Sequence, residues 1–331
     1  MARKITGNER PPLPAPSQPA LMKLAATLAL LCVTTFASAQ QAPKAKAKGG
    51  KLNQPKLTEQ EVKHEEKLYK TTPQGELKLH ISQPMDWKAS DKRPVIVCFF
   101  GGGWSKGSYA QFVSLCDYLA ARGMVGISAD YRISSIHHTT PDKCVEDAKS
   151  AIRYVRSHAP ELGIDPDRIV SSGGSAGGHL AACTALIEGL DADSDDKSIS
   201  PRPQAMVLFN PVVNFDEFMP KPVDAEGKIS AASITPNRFI KAGTPPAIFF
   251  FGTEDKLIAG AKEYQAKGQP LGLRAELWTA AGQGHSFFNR APWIQLTAKK
   301  TDEFLSSLGY IKGEPAIKMP EGTAEQLVEM K

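Results

Sequence analysis

Short apolar runs recur along this chain, separated by longer segments whose apolar residues return at the three-to-four-residue spacing of an amphipathic helix. Leu77 to Ile81 alternates like a half-buried strand. Pro94 to Phe100 is a continuous apolar run that ends in Gly101-Gly102-Gly103. Met124–Ala129, Arg168–Ser172, Ala205–Phe209, Ala247–Phe251 and Ala275–Thr279 read as further strands. Between them, helices are expected over Tyr109–Ala121, Thr140–His158, Ala176–Gly189, Ile258–Lys267 and Leu296–Leu308. Thr140 is the candidate N-cap of its helix, with Pro141 at the first helical position. Strands this short and apolar, alternating with helices, predict an α/β fold: a mainly parallel, doubly wound sheet with helices on both faces.

The remaining stretches fit less regularly. Thr58 to Leu68 is charged and rich in helix-favouring residues, and a short surface helix is expected there. Asp191–Pro203 and Asn214–Thr244 interrupt the alternation. The second is either a lid or substrate-binding insertion or a long surface loop.

The chain has 331 residues, 41% hydrophobic and 23% charged, which is ordinary globular composition. Its formal charge of +5 comes from one end. Residues 1–39 carry Arg3, Lys4, Arg10 and Lys23 against Glu9, a surplus of three; Lys44, Lys46, Lys48 and Lys51 add four more, leaving −2 from Leu52 onward. A near-neutral body supplies no electrostatic reason for a nucleic-acid partner or an anionic membrane.

Met22-Lys23, the apolar run Leu24–Val33 and Ala37-Ser38-Ala39 have the anatomy of a secretory signal peptide, with Met22 the expected start and cleavage after Ala39. The expected organisation is therefore a signal peptide over 1–39, a flexible linker over 40–57, a catalytic domain over 58–312 and a tail over 313–331. Export, to the periplasm or beyond, follows, without stable membrane insertion once the signal is removed. Cys98, Cys116, Cys144 and Cys183 remain in the mature chain; sequence does not choose between disulfides and buried thiols. No Cys/His cluster suggests zinc.

Gly173-Gly174-Ser175-Ala176-Gly177 matches G-x-S-x-G, and it follows a strand and opens a helix. A serine on so sharp a turn has strained backbone angles and needs small neighbours, and the helix behind it offers free N–H groups to negative charge. Ser175 is the candidate nucleophile. Gly102 and Gly103, with the amide of Ala176, are the candidate oxyanion donors, because glycine lets the main chain come close.

A serine of ordinary pKa needs a base. After Ser175 only His179 and His285 occur. His179 lies one turn along the serine's own helix and suits local packing, whereas His285 follows the last strand, from which it can reach the serine. For the orienting acid, Glu254 and Asp255 stand together at the end of the preceding strand; Asp216 and Asp224 lie earlier, within the insertion. Trp104, Trp278, Phe287 and Phe288 flank these motifs and could line a substrate site or fill the core. Asp147 and Arg153 read as scaffold ion-pairing groups.

The series Phe100-Gly-Gly-Gly-Trp104, Asp130-Tyr-Arg132, Gly163-Ile-Asp-Pro-Asp-Arg168, Gly174-Ser-Ala-Gly-Gly-His179, Asn210-Pro211, Gly252-Thr-Glu-Asp255 and Gly284-His-Ser-Phe-Phe288 resembles the hormone-sensitive-lipase-like, feruloyl- and acetyl-xylan-esterase-like branch of the α/β-hydrolases. It spans about residues 75 to 310. The resemblance implies an α/β-hydrolase fold and makes Asp255 the acid of a Ser175–Asp255–His285 triad. It also implies a small-molecule or polysaccharide-linked ester as substrate, acetyl or feruloyl, and no cofactor. Acyl transfer by the same triad, or a catalytically silent binding module, are the alternatives. One departure stands out: Phe100 occupies the place of a histidine that braces the glycine loop.

Overall fold

The computed structural model describes residues 54–218 and 231–330. The expected signal peptide and most of the expected linker lie outside them, as does Asp224. One nine-stranded sheet organises what is described: β1 (Val62–Thr72), β2 (Gly75–Pro84), β3 (Arg93–Phe99), β4 (Val125–Ala129), β5 (Ile164–Gly174), β6 (Ala205–Phe209), β7 (Ala247–Gly252), β8 (Ala275–Ala280) and β9 (Leu327–Met330). Their spatial order is β1-β2-β4-β3-β5-β6-β7-β8-β9. From β4 to β8 every pairing is parallel, while β1, β2 and β9 are antiparallel additions at the two edges.

The continuous apolar runs become the central strands because both faces of the sheet are covered. On β3, Val95, Val97 and Phe99 join one core, with Ile96 and Cys98 in the other. Helices α1 (Val113–Ala121) and α5 (Trp293–Ser307) cover the second face; α2 (Pro141–Ser157), α3 (Ala176–Leu186) and α4 (Ile258–Gly268) cover the first. Thr140 holds the N-cap position of α2 with extended backbone, but its side chain makes no capping hydrogen bond.

Two sequence expectations change. No helix forms over Thr58–Leu68; from Val62 onward this segment is the start of edge strand β1, in antiparallel register with β2. Helix propensities differ by only tenths of a kcal/mol per residue, so a continuous ladder outweighs them. The charges that suggested a helix now guard the exposed edge: Lys78 pairs with Glu66 at 3.0 Å and Lys67 with Glu161 at 2.8 Å. The segment read as a tail returns to the sheet, where Leu327–Met330 pairs with Leu277–Ala280.

All four cysteines of the described body are free and buried. The ion-pairing reading of Asp147 and Arg153 holds: Asp147 takes Arg132 in a two-pronged contact at 2.7 and 2.8 Å and Lys70 at 2.7 Å, while Arg153 reaches Asp191 and Asp195.

Candidate active site

Strand β5 runs into Ser175 without a spacer. The serine has φ 53° and ψ −117°, a conformation that side chains rarely adopt, and α3 begins at the next residue. The neighbouring glycines are required sterically. A Cβ at Gly173 would lie 2.4 Å from the Gly177 backbone, and one at Gly177 would lie 2.0 Å from the Phe99 carbonyl oxygen. The bend therefore closes only against bare backbone.

His285 reaches this bend from the loop after β8. Its Nε2 lies 2.8 Å from Ser175 Oγ, and its Nδ1 lies 2.7 Å from Asp255 Oδ2. Since a carboxylate accepts, the ring proton sits on Nδ1 and leaves Nε2 as the acceptor for the serine hydroxyl. Asp255 is 5% exposed, and its second oxygen accepts the Leu257 amide at 3.0 Å. Glu254, the other candidate acid, is exposed; its backbone N–H donates to the Gln283 carbonyl at 2.9 Å. The two adjacent carboxylates thus divide their tasks, with Asp255 orienting the base and Glu254 tying the acid's loop to the base's loop through its main chain.

The glycine loop approaches from the end of β3. A Cβ at Gly101 would lie 3.4 Å from Ser175 Cβ, which places this loop directly beside the candidate nucleophile. The Gly101 N–H donates to Gln111 Oε1 at 2.6 Å. The N–H groups of Gly102, Gly103 and Ala176 have no acceptor among the described residues. Gly102 at φ 127° and Gly103 at φ 63° need the freedom of glycine. Phe100, standing where the resembled family has histidine, braces the loop by packing. Its ring stacks on Tyr131 at 4.2 Å, and the Tyr131 hydroxyl donates to the Phe100 carbonyl at 2.8 Å.

Of the rings that could line a substrate site or fill the core, three are buried in the core. Trp104 is 2% exposed, Phe287 0% and Phe288 4%. Trp104 packs on Phe215, Phe287 on Trp293, and Phe288 on Phe209 and Phe112. These rings are consumed in holding the loops that carry the site. Trp278 sits elsewhere, under the Lys300 ammonium at 3.9 Å. Beside Asp255 and His285 lies a cleft of 510 Å³ lined also by Val213, Asn214, Lys256, Leu257 and Gly260. Asp216 accepts from Thr235 and pairs with Arg238.

His179 is a fully buried core histidine. Its Nδ1 accepts from the Trp104 indole at 3.2 Å, and its Nε2–H donates to the Ile234 carbonyl at 2.7 Å. Burial pushes its pKa down to about 4 from 6.5, against a smaller upward pull from the Ile234 hydrogen bond. The unfolded chain therefore binds the extra proton between these values. The stability that neutral His179 contributes is fully present above pH 6.5 and is lost as pH falls towards 4. Replacement His179→Gln removes that titration. Urea unfolding at pH 7 and pH 4 should show the parent losing roughly 3 kcal/mol more than the variant. Parallel losses would contradict the assignment.

Three contributors carried no role in the sequence reading. Asn210, closing β6, accepts the Ser286 N–H at 3.0 Å, and its Nδ2 lies 3.5 Å from His285 Nε2. Gln111 also donates to Asn289 at 2.9 Å, and Asn289 donates to the Ser286 carbonyl at 3.1 Å, joining the glycine loop to the histidine loop. A polar residue that closes an otherwise apolar strand was the available signal for Asn210. Nothing local marks Gln111 or Asn289.

Residues 79–267 match the BD-FAE family model. The probable isoprenylcysteine α-carbonyl methylesterase ICMEL1 of Arabidopsis thaliana is 28% identical over 243 residues, 66% of this chain and 50% of that one. The probable carboxylic ester hydrolase LipM of Mycobacterium tuberculosis is 29% identical over 206 residues, 54% of this chain and 45% of that one. The chain thus spans about half the length of these curated relatives. Among solved structures, apo Thermogutta terrifontis esterase 2 is 43% identical with a TM-score of 0.71, over 76% of this chain and 97% of that one. That esterase is also known phosphorylated by paraoxon and with butyrate bound.

Proposed function

The chain belongs to the BD-FAE family of α/β-hydrolase esterases, within the hormone-sensitive-lipase-like branch, and from that premise we propose that it is an exported serine carboxylesterase acting on short-chain or carbohydrate-linked esters. The observation that carries the reading is the unbroken path from Asp255 through His285 to a serine on a strained bend, at 2.7 and 2.8 Å.

In this mechanism His285 takes the Ser175 proton as Oγ attacks the ester carbonyl. The developing oxyanion is met by the unengaged amides of Gly102, Gly103 and Ala176. The His285 imidazolium, stabilised by Asp255, then protonates the departing alcohol. Water, activated by the same imidazole, releases the acid from the acyl-serine. Butyrate in the similar esterase supports a short acyl group here. Export rests on the signal-like residues 22–39. No helix among the described residues is long and apolar enough to cross a membrane.

A panel of p-nitrophenyl esters of increasing chain length, run beside acetylated xylan, tests the substrate reading. Turnover is expected to be greatest for the short acyl chains, with acetate released from the xylan. Preference for long chains would refute the short-acyl assignment, and an unchanged xylan would refute the carbohydrate one.

A further inference from the structure

We infer that Asn210 is a positioning residue that holds the base loop in place and keeps His285 Nε2 free to accept the serine proton. This rests on the triad reading above. Asn210 is completely buried and sits at φ 38°, the left-handed region in which asparagine is tolerated better than most residues. Its main chain is pinned by N–H donation to the Phe250 carbonyl at 2.7 Å. The preceding carbonyl, that of Phe209, accepts the Ser175 N–H at 2.9 Å, so one short segment touches both the nucleophile's turn and the base's loop.

The orientation of the side chain follows from a one-way donor. A backbone N–H cannot accept, so the atom facing Ser286 N–H must be the amide oxygen. The NH₂ group is thereby turned to His285 Nε2, 3.5 Å away. A donor aimed at that nitrogen favours its lone pair and opposes a proton there. After Nε2 has taken the serine proton, the same NH₂ faces an N–H, which favours passing the proton on to the leaving alcohol.

The other titratable or charged groups around His285 are Asp255 at Nδ1 and Glu254 and Lys256, which share its cleft. Arg290, on the histidine's own side of the site, is engaged with Gln283. None of these donates to Nε2.

The test is an NMR titration of the His285 imidazole in the full chain, in the parent, Asn210→Asp and Asn210→Leu. In Asn210→Asp the oxygen facing Ser286 is kept, but an acceptor replaces the donor at Nε2. The His285 midpoint should rise by about one pH unit. In Asn210→Leu the donor is simply lost, and a rise of roughly half a unit is expected. The acid limb of kcat/KM should move up with the midpoint in each variant, which loosening of the loop alone would not produce. If the buried carboxylate prevents folding, Asn210→Leu carries the test. A folded variant whose midpoint matches the parent's overturns the inference. Because the titration reads His285 itself, a parent without esterase activity would count against the functional reading and not be confused with this result.

Discussion

Ser175→Ala is expected to lower kcat/KM for p-nitrophenyl acetate by roughly four to six orders of magnitude while leaving stability within about 1 kcal/mol of the parent. The size of the effect follows from the site's unity. Without Oγ, His285 has no proton to take and the acyl-enzyme cannot form, so only the donors of the glycine loop and α3 remain to assist direct attack by water. The removed atom carries little of the fold, because Ser175 is only half buried and its backbone bond to Phe209 persists. Stopped assays with purified variant, against a buffer blank, would measure the residue. Loss of less than tenfold would mean that another group does the chemistry.

Gly177→Ala should cost at least about 4 kcal/mol, seen as a fall in Tm of around 10 °C or more. A methyl there would overlap the carbonyl oxygens of Phe99 and Phe100 at 2.0 and 2.4 Å. Both are backbone atoms of the strand end leading into the glycine loop, so neither can swing aside as a side chain would. Relief requires α3 to lift from β3, which displaces Ser175 and Ala176 together, and activity should fall with stability. Gly284→Ala provides the contrast: no atom lies within 4 Å of the position its Cβ would take. That variant is expected to stay within about 1 kcal/mol of the parent. Equal tolerance at both positions would show that the packing between helix and strand is looser than described.

The central strands and their helices were legible because burial on both faces leaves a plain mark, five or six apolar residues in a row. Ser175 and His285 were legible for a related reason: each stands at the end of such a run, in a glycine setting with few other uses. Assigning the acid to Asp255 rather than Glu254 required more than the residues' own pattern, since adjacent carboxylates at one strand end differ only in which way the turn points them. The edges were illegible. β1 is built from residues that suit a surface helix, and its partner strand lies a hairpin away; β9 becomes a strand only by docking on β8. The aromatic residues stayed ambiguous in the sequence for the opposite reason. Proximity in sequence to the catalytic motifs placed Trp104, Phe287 and Phe288 near the site, but large rings beside strained loops are where packing holds most firmly.

The most direct test of the account is the reaction of the full chain with a fluorophosphonate ester, followed by intact mass and peptide mapping. The account predicts one adduct per chain, on Ser175, formed quickly in the parent, far more slowly in His285→Ala, and not at all in Ser175→Ala. A folded parent that stays unlabelled, or that carries its adduct on another residue, would contradict it.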